Sequence, residues 1–435
     1  MITAEVIRLS RAAARDIPEA TLAMARLCLL DWLGLVLAAQ AEPVVQLLMR
    51  GARAEGAAPA ATILGHGRRF SARQAALVNG VAGHALDYDD VNLAMNVHPT
   101  AVLMPGILAL AEARGLSGRA LLEAFVAGYE AAGLIGRMMA RGHYARGFHA
   151  TGTIGTFGAA AACAHIIGLD EEATARAYGL AASQAAGLKA QFGTMAKPLH
   201  AGRAAEAGLL AALWAEAGMT ARTDSLEARQ GFFATQADGV EPPLWIDHEL
   251  DRNLFKFHAS CFGTHGTLEA VGALRRLGVT PEKVHDIHVT VHPGLDRMCN
   301  IASPSSGLEA KFSLRFSAVL ALHGENTADP ATYGDGIAAR DDLRRTAGRV
   351  TVTLAPPDWP EDLTEVVLHC LDGRRFEMRH DSSEPPADIG PRLHAKFRAL
   401  ASPSLHDRTI PLAQAVEGIG QAGDAGHLLS FLSPG

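Results

Sequence analysis

The chain has 435 residues, of which 49% are hydrophobic and 20% are charged. This balance indicates a globular protein with a large buried core and argues against a disordered chain. Lysine and arginine total 39 against 46 aspartate and glutamate residues, which gives a formal charge of −7, and no basic block interrupts the sequence. We therefore expect no nucleic-acid partner.

The sequence contains no clear targeting or membrane segment. Its start lacks a basic stretch followed by an apolar run, which argues against a secretory signal. The most apolar window, Thr21–Ala39, is interrupted by Arg26 and Asp31, so we predict a buried core helix rather than a membrane span. The five cysteines are scattered and form no Cys-x-x-Cys pair. We expect a cytoplasmic protein with no membrane contact, disulfide framework or structural zinc site.

Helices dominate the first 235 or so residues, where Ala- and Leu-rich stretches follow one another between Gly and Pro residues. The predicted helices in this part are Thr21–Ala39, Ser71–Tyr88, Pro99–Ala113, Gly118–Met138, Gly152–Ile167, Glu171–Gly187 and Leu199–Gly218. Several of them are apolar on most sides, which is typical of helices buried among other helices.

The pattern changes after about residue 247, where apolar and polar residues alternate at period two. The predicted strands are Val284–His292, Val350–Leu354, Glu365–Leu371 and Arg374–Arg379, the last two joined by an Asp-Gly turn. The predicted helices in this part are Thr264–Leu277, Lys311–Leu322, Pro391–Leu400 and Ile410–Glu417. We predict a mainly α protein with a large all-helical domain, residues 1–262, completed by C-terminal helices in 391–435. A smaller α+β lid domain would span residues 263–390.

The first segment that carries chemistry runs from His84 to His98. It contains Asp87 and Asp90, each three residues from the previous polar group, which would place them on one face of a helix. A histidine next to two carboxylates is suited to acid–base chemistry, and the same groups are able to bind a metal. A polar helix end with no further role fits the same pattern.

Two further segments place reactive side chains at predicted helix starts. His149 and Thr151 stand among glycines just before a helix, where backbone can approach a ligand or where a threonine can simply cap the helix. Lys197 precedes Pro198 at the next predicted start, and His200 follows. Helix N-termini attract anions, so this position favours a carboxylate ligand, although a solvated surface lysine is the commoner case.

The fourth segment lies where the helical pattern gives way to the strand pattern. It brings Lys256 and Cys261 within a few residues of each other. A thiol near cations can ionise and act as a base or nucleophile, whereas an isolated cysteine is more often a small buried side chain. Clefts between domains are common ligand sites, which favours the functional interpretation.

These segments and one more resemble, in order, the motifs of a known family. The motifs are HALDYDD with a following HP, GFHATGTIG, KPLHAG, KFHASCFGTH and AKFSLRF at residues 310–316. Together they resemble the MmgE/PrpD family of 2-methylcitrate dehydratase, cis-aconitate decarboxylase and iminodisuccinate epimerase. The resemblance implies a helical domain, an α+β lid, a cleft between them, a homodimer, and catalysis without a cofactor or metal.

The resemblance also implies which residues form the site. The catalytic residues would be His149, His98, Lys197, Asp87 and Cys261, and the substrate-binding residues would be Lys256, His200, Thr151, Asp90 and Lys311. The reaction implied is removal of a proton next to a carboxylate of a small di- or tricarboxylate, with lysines stabilising the negative charge that develops.

Three departures from the decarboxylase and dehydratase motifs favour an epimerase of the iminodisuccinate type. Val91 replaces a threonine, Cys261 replaces a histidine and Phe316 replaces a tyrosine. A citrate-type dehydratase is the nearest alternative, followed by a cis-aconitate-type decarboxylase. A metal-dependent hydrolase built on His84, Asp87, Asp90 and His98 is a different class, and a ligand-binding protein without turnover is a third.

Overall fold

The computed structural model describes residues 1–240, 244 and 246–432, and the side chains of residues 140 and 141 are not described. It confirms a mainly α protein. The helices of the N-terminal part are α1 (Ile2–Ala13), α2 (Glu19–Ala38), α3 (Pro43–Glu55), α4 (Ala72–Ala85), α5 (Pro99–Arg114), α6 (Gly118–Ala145), α7 (Ala150–Ile166), α8 (Glu171–Ala182), α9 (Ala196–Glu216) and α10 (Phe232–Gln236). A hairpin of two short strands with two residues each, β1 (Ala61–Thr62) and β2 (Arg69–Phe70), joins α3 to α4.

The C-terminal part combines short helices with a four-stranded sheet. Its helices are α11 (His265–Arg276), α12 (Asp296–Cys299), α13 (Gly307–Ala310), α14 (Leu314–His323), α15 (Asp341–Ala347), α16 (Ile389–Leu405) and α17 (Thr409–Glu417). Its strands are β3 (Val284–Val291), β4 (Val350–Leu354), β5 (Leu363–Cys370) and β6 (Arg375–Asp381). The strand order is β4-β3-β5-β6, with β3 parallel to β4 and antiparallel to β5. Gly373 adopts a φ of 85° in the β5–β6 turn, as the Asp-Gly signal predicts.

Small residues set how closely the central helices pack. Helix α4 crosses α9 where Gly80 meets Gly202, and a Cβ at Gly80 would lie 2.8 Å from the Gly202 Cα. In α7, a Cβ at Gly152 would lie 2.3 Å from the Ala186 carbonyl oxygen. Backbones therefore approach one another directly around the start of α7 and the middle of α4, and no larger side chain fits at these crossings.

The C-terminal helix α16 packs on α2. Phe397 lies against Gly34, and the buried Lys396 forms an ion pair with Asp31 at 2.7 Å. Within the described residues, the helical stretch Glu19–Ala41 is long and apolar enough to cross a membrane by length and composition, yet 72% of its most apolar window is buried inside the protein. It has the environment of a core helix, as its two interrupting charges suggest.

Several elements differ from the prediction. The sequence patterns missed α1, α3 and α15. Helix α15 has only seven residues, whereas α1 and α3 bury one face of an amphipathic pattern that was overlooked. The predicted helix 71–88 ends at Ala85, because Asp87 takes a positive φ of 53° that a helix cannot continue. The predicted helix from Lys311 begins instead at Leu314, where Ser313 caps it. The division into 1–262 with 391–435 and 263–390 stays a prediction, and its residues 241–243, 245 and 433–435 lie outside the described part.

Candidate active site

A cavity of about 490 Å³ lies where the central helices meet the segments that flank the sheet. Its wall is formed by the α4–α5 connection, the residues before α7 and α9, the segment after residue 255, and turns beside β3 and β5. The predicted site residues on this wall are Asp87, His98, His149, Lys197, Lys256 and Cys261. Residues far apart in the sequence thus share one concave surface, the usual geometry of a ligand site.

Asp87 binds two lysines. Its Oδ1 accepts hydrogen bonds from Lys197 Nζ at 2.6 Å and Lys256 Nζ at 2.8 Å, and Lys256 also donates to the Asp87 carbonyl at 3.0 Å. Burial acts to raise the pKa of Asp87, but the two lysines outweigh it and hold that pKa well below its usual range. Burial similarly acts to lower the pKa of Lys256, and Asp87 reverses the effect. The three groups are therefore charged, with one positive charge in excess.

The cluster of Asp87, Lys197 and Lys256 is connected to helix α16 through hydrogen bonds to the backbone. Lys396 of α16 donates to the carbonyl of Tyr88 at 2.7 Å and to the carbonyl of Lys256 at 3.0 Å. Its ion pair with Asp31 extends the contact to α2. Because these carbonyls belong to the segments that carry Asp87 and Lys256, α16 fixes the backbone on which both site residues stand.

His98 stands at the N-cap position of α5, and its ring contacts the preceding backbone. Its Nδ1 lies 2.8 Å from the Asp90 carbonyl oxygen, which can only accept, so Nδ1 carries the hydrogen in the neutral ring. The Nε2 lone pair is then available to take a proton. Burial lowers the pKa of His98 well below its usual value, and although Asp89 opposes this, Lys256 reinforces it. His98 is neutral at pH 7 and able to act as a base.

His149 stands at the N-cap position of α7. Its ring Nδ1 lies 3.0 Å from Nδ1 of His200, so one ring donates to the other. Burial lowers the pKa of His149 well below its usual value, and His84 and Lys197 add to the effect. The Gly152 crossing with Ala186 brings α7 close enough for the His149–His200 contact, since the same Cβ would also meet His200 at 3.2 Å. His149 is a second neutral histidine on the wall.

Asp89, which the sequence pattern did not single out, and His84, which it indicated only as part of an acid–base or metal-binding cluster, lie beside these histidines. Asp89 Oδ2 lies 2.7 Å from His84 Nδ1 and 3.6 Å from His98 Nδ1. The ring centroid of His84 is 4.7 Å from that of His98 and 5.9 Å from that of His149. Burial acts to raise the pKa of Asp89, but the two histidines hold it below its usual value.

Three of these groups have the spacing of metal ligands. The ligand atoms of His84, Asp89 and His98 lie within 4.8 Å of one another. This set differs from the metal set considered from the sequence, because Asp87 binds the two lysines and Asp90 binds Thr100. Asp89 takes their place, so a metal at this position would have two histidines and one carboxylate as ligands.

Four residues expected to bind substrate lie behind the wall instead. Asp90 Oδ2 accepts from Thr100 Oγ1 at 2.5 Å, and burial raises the pKa of Asp90 to about 7. Thr151 Oγ1 accepts from the His98 backbone N–H at 3.1 Å. Lys311 donates to the Leu86 carbonyl at 2.7 Å, and burial lowers its pKa to about 8.

The fourth, His200, contacts the His149 ring, and none of these four residues is among those that line the cavity. The sequence could not distinguish the two positions, since a motif gives order along the chain and not depth from a surface. We expect these side chains to position the wall residues.

Cys261 lines the cavity and is paired with a second thiol. The thiol of Cys299, at the end of α12, acts to lower the pKa of the Cys261 thiol; burial opposes this, and Lys197 and Lys256 reinforce the lowering. The partner thiol shows the opposite shift, because its bond to Cys261 and its burial raise the pKa of Cys299. Cys261 is thus the more acidic thiol, and it faces the same space as the histidines.

Lys197 does not stand free at a helix end as the sequence suggested. Helix α9 begins at Ala196, so Lys197 already lies within its first turn, and the side chain is only 7% exposed. Its ammonium group points to Asp87 and the rings of Phe192 and Phe312, with centroids at 5.3 Å and 5.0 Å. An internal carboxylate therefore offsets the unfavourable position at the positive end of the helix.

Comparisons with known proteins identify the family of this chain. Residues 8–244 match the model of the MmgE/PrpD N-terminal domain, and residues 258–416 match that of the C-terminal domain. The cis-aconitate decarboxylase of Mus musculus is 29% identical over 394 residues, covering 84% of this chain and 79% of the relative. The cis-aconitate decarboxylase of Aspergillus terreus is 26% identical over 479 residues, covering 99% and 96%. A cis-aconitate decarboxylase-like protein of Aspergillus oryzae is 31% identical over 236 residues, 49% of each chain.

Proposed function

We propose, since this chain belongs to the MmgE/PrpD family, that it is a cofactor-independent enzyme acting on the carbon next to a carboxylate of a small di- or tricarboxylate. The observation that carries the proposal is the placement of two neutral histidines, His98 and His149, on the same cavity wall as Lys197 and Lys256. A proton next to a carboxylate is weakly acidic. Its removal needs a base in reach and cations that stabilise the resulting enediolate.

The structure supports a distinct part for each group. His98 directs its hydrogen-bearing Nδ1 to a backbone carbonyl, which leaves Nε2 as the base. Lys197 and Lys256 share one carboxylate, so the cluster retains one positive charge for the enediolate. Asp87 holds both ammonium groups in place before the substrate arrives, and such preorganised charge lowers the barrier without reorganisation during the reaction. Asp87 acts on the lysines and is a positioning residue.

Epimerisation is the specific reaction that we favour. Inverting a stereocentre needs one group to remove the proton and another to return it to the opposite face. Cys261 supplies a second acid–base group on the cavity wall, carried by a different segment from either histidine. The Cys299 hydrogen bond and the neighbouring lysines keep its pKa below that of an ordinary thiol.

Decarboxylation is the second candidate, and the relatives favour it. The curated relatives described above carry the name of cis-aconitate decarboxylase or of a protein like it. Loss of carbon dioxide leaves the same kind of carbanion as proton removal, which the same lysines would stabilise and a protonated histidine would quench. A dehydratase differs only in that an acid protonates a leaving hydroxyl group.

The test is proton NMR in deuterium oxide with iminodisuccinate, citrate, 2-methylcitrate and cis-aconitate. Deuterium incorporation with inversion and an unchanged skeleton identifies an epimerase. Loss of water identifies a dehydratase, and loss of carbon dioxide identifies a decarboxylase. His98→Gln and His149→Gln should each slow the reaction by at least 100-fold, while the exposed His427→Gln should not. Binding of these acids with neither exchange nor product would refute the proposal and favour a binding protein.

Cys261→Ala separates the epimerase from the other reactions. If Cys261 returns the proton, the variant should still exchange deuterium into one stereoisomer while conversion between stereoisomers slows at least 100-fold. Cys370→Ser, at the end of β5 and away from the cavity wall, is the matched control. Inversion at the normal rate in Cys261→Ala would remove the cysteine from the mechanism of an epimerase. Absence of inversion in the unaltered enzyme would leave the decarboxylase and dehydratase candidates.

A further inference from the structure

Two cations on the cavity wall have no acidic partner. Lys189 and Arg297 both line the cavity, and within the described part of the chain neither forms an ion pair with a carboxylate. Lys197 and Lys256 differ from them, because both bind Asp87. The charge available to an incoming anion is therefore greatest at Lys189 and Arg297.

Lys189 is held in place beside His149. Its backbone N–H donates to the Gly147 carbonyl at 2.8 Å, and the neighbouring residues Phe148 and Leu188 form a bridge of the β type. Its Nζ donates to the Tyr144 carbonyl at 3.3 Å and lies 3.7 Å from the centroid of the Tyr144 ring. These contacts use one of the three ammonium hydrogens and orient the side chain without neutralising its charge.

Arg297 comes from the sheet side of the same cavity. It lies on α12, which ends at Cys299, the free thiol that lowers the pKa of Cys261. A Cβ at Gly263 would meet the Cys299 sulfur at 2.9 Å. Helix α12 therefore packs directly on the segment that carries Cys261. Lys189 and Arg297 line the same cavity from different elements. Burial lowers the pKa of Lys189, and repulsion from Arg297 adds to the effect. An anion bound between them would relieve that repulsion.

We propose that Lys189 and Arg297 bind a second carboxylate of the substrate, remote from the carbon that loses its proton. The inference rests on the proposed function, in which Lys197 and Lys256 stabilise the reacting carboxylate. It assigns the two ends of a polycarboxylate to two pairs of cations that line the same cavity as Cys261 and His149. A monocarboxylate would bind one pair of cations and leave the two cations of the other pair repelling each other.

The cavity wall also carries acidic side chains. Asp296, Glu361 and Asp362 line the cavity. Burial raises the pKa of Asp362 to about 6, and Asp381 and Glu361 contribute. Because these carboxylates repel an anionic substrate, its second carboxylate is favoured only beside cations such as Lys189 and Arg297.

The test compares the binding of tricarballylate, which does not turn over by loss of water, with that of butyrate. Lys189→Met and Arg297→Met should each weaken tricarballylate binding at least tenfold in calorimetry, because each removes a charge-assisted contact. Butyrate binding, followed by NMR titration, should change less than twofold. Exposed cations outside the cavity wall supply the controls Lys283→Met and Arg276→Met, which should bind both ligands normally.

Arg297 is exposed, so its variants are expected to fold, and Arg297→Glu adds a charge reversal that should weaken tricarballylate further. Unchanged tricarballylate affinity in both Lys189→Met and Arg297→Met, or an equal loss for butyrate, would overturn the inference. Because binding is measured without turnover, the outcome is independent of the reaction. Loss of exchange in His149→Gln with normal binding in Arg297→Met would leave the proposed function standing and remove only this second site.

Discussion

Replacing Lys197 with alanine tests the charge stabilisation on which the proposed reaction depends. The Lys197 ammonium lies on the cavity wall and is 2.6 Å from Asp87 Oδ1. In the transition state the substrate carboxylate gains negative charge, and a fixed donor near that charge is worth more than in water. Removing such a donor typically costs about 2.7–4 kcal/mol, so kcat should fall about 10²–10³-fold.

The cost to stability should be smaller than for an isolated buried ion pair. Removing one partner of such a pair typically costs about 3–5 kcal/mol, because a buried charge is left uncompensated. Here Lys256 remains 2.8 Å from the same Asp87 oxygen, so the carboxylate keeps a cation. We expect a loss of about 1–3 kcal/mol of unfolding free energy, the range for one charge-assisted hydrogen bond. The variant should therefore fold.

The assay is steady-state kinetics on the substrate identified by NMR, with circular dichroism and urea unfolding as folding measurements. Lys197→Arg should recover only part of the activity, because a planar guanidinium presents its donors differently from a compact ammonium. Lys283→Ala, on the exposed surface, is the control for loss of a lysine. A folded Lys197→Ala enzyme with near-normal kcat would refute the reasoning and assign the lysine a purely structural role.

Three further outcomes follow from the same geometry. Folding lowers the pKa of His98 and His149 from 6.5, so below about pH 6.5 the unfolded chain binds more protons than the folded chain. The unfolding free energy should therefore fall as the pH drops through that value, and the fall should have a shallower slope in His98→Gln. Gly152→Ala should destabilise by about 1–3 kcal/mol because its Cβ would meet the Ala186 oxygen at 2.3 Å, whereas Gly51→Ala, with open space around it in α3, should be neutral or stabilising in thermal unfolding. Exhaustive EDTA treatment should leave full activity; a loss restored by a divalent ion would instead favour a metal centre at the histidine cluster.

The sequence predicted the helical part well where the pattern was strong. Helices α5 and α7 were expected within a few residues, because both are apolar on nearly all sides and have a clear start. The sheet was predicted for a different reason. Its signals, alternation at period two and an Asp-Gly turn, each depend only on residues that are close together in the sequence. Neither signal gives the position of one element against another, so the pairing of β3 with β4 could not be predicted.

The sequence predicted which residues form the site but not which of them contact one another. The order of motifs identified Asp87 and Lys256, but nothing in the sequence showed that one carboxylate holds two lysines, because 169 positions separate the partners of that bond. Asp89 was overlooked although it stands between two residues that were considered. Helical spacing was the criterion there, and it fails where the helix has already ended at Ala85.

The backbone of the α4–α5 connection explains why this carboxylate can serve two cations. Asp87 and Asn96 have φ values of 53°, and both line the cavity; His406 is the other non-glycine residue with a positive φ in the described part of the chain. A left-handed conformation is unfavourable for such residues and persists where surrounding contacts hold it. For Asp87 those contacts are with the two lysines, and Lys256 donates hydrogen bonds to both its carboxylate and its carbonyl. The ion pairs thus maintain the turn, and the turn keeps the ammonium groups aimed at the cavity, so that fold and charge placement depend on the same three side chains.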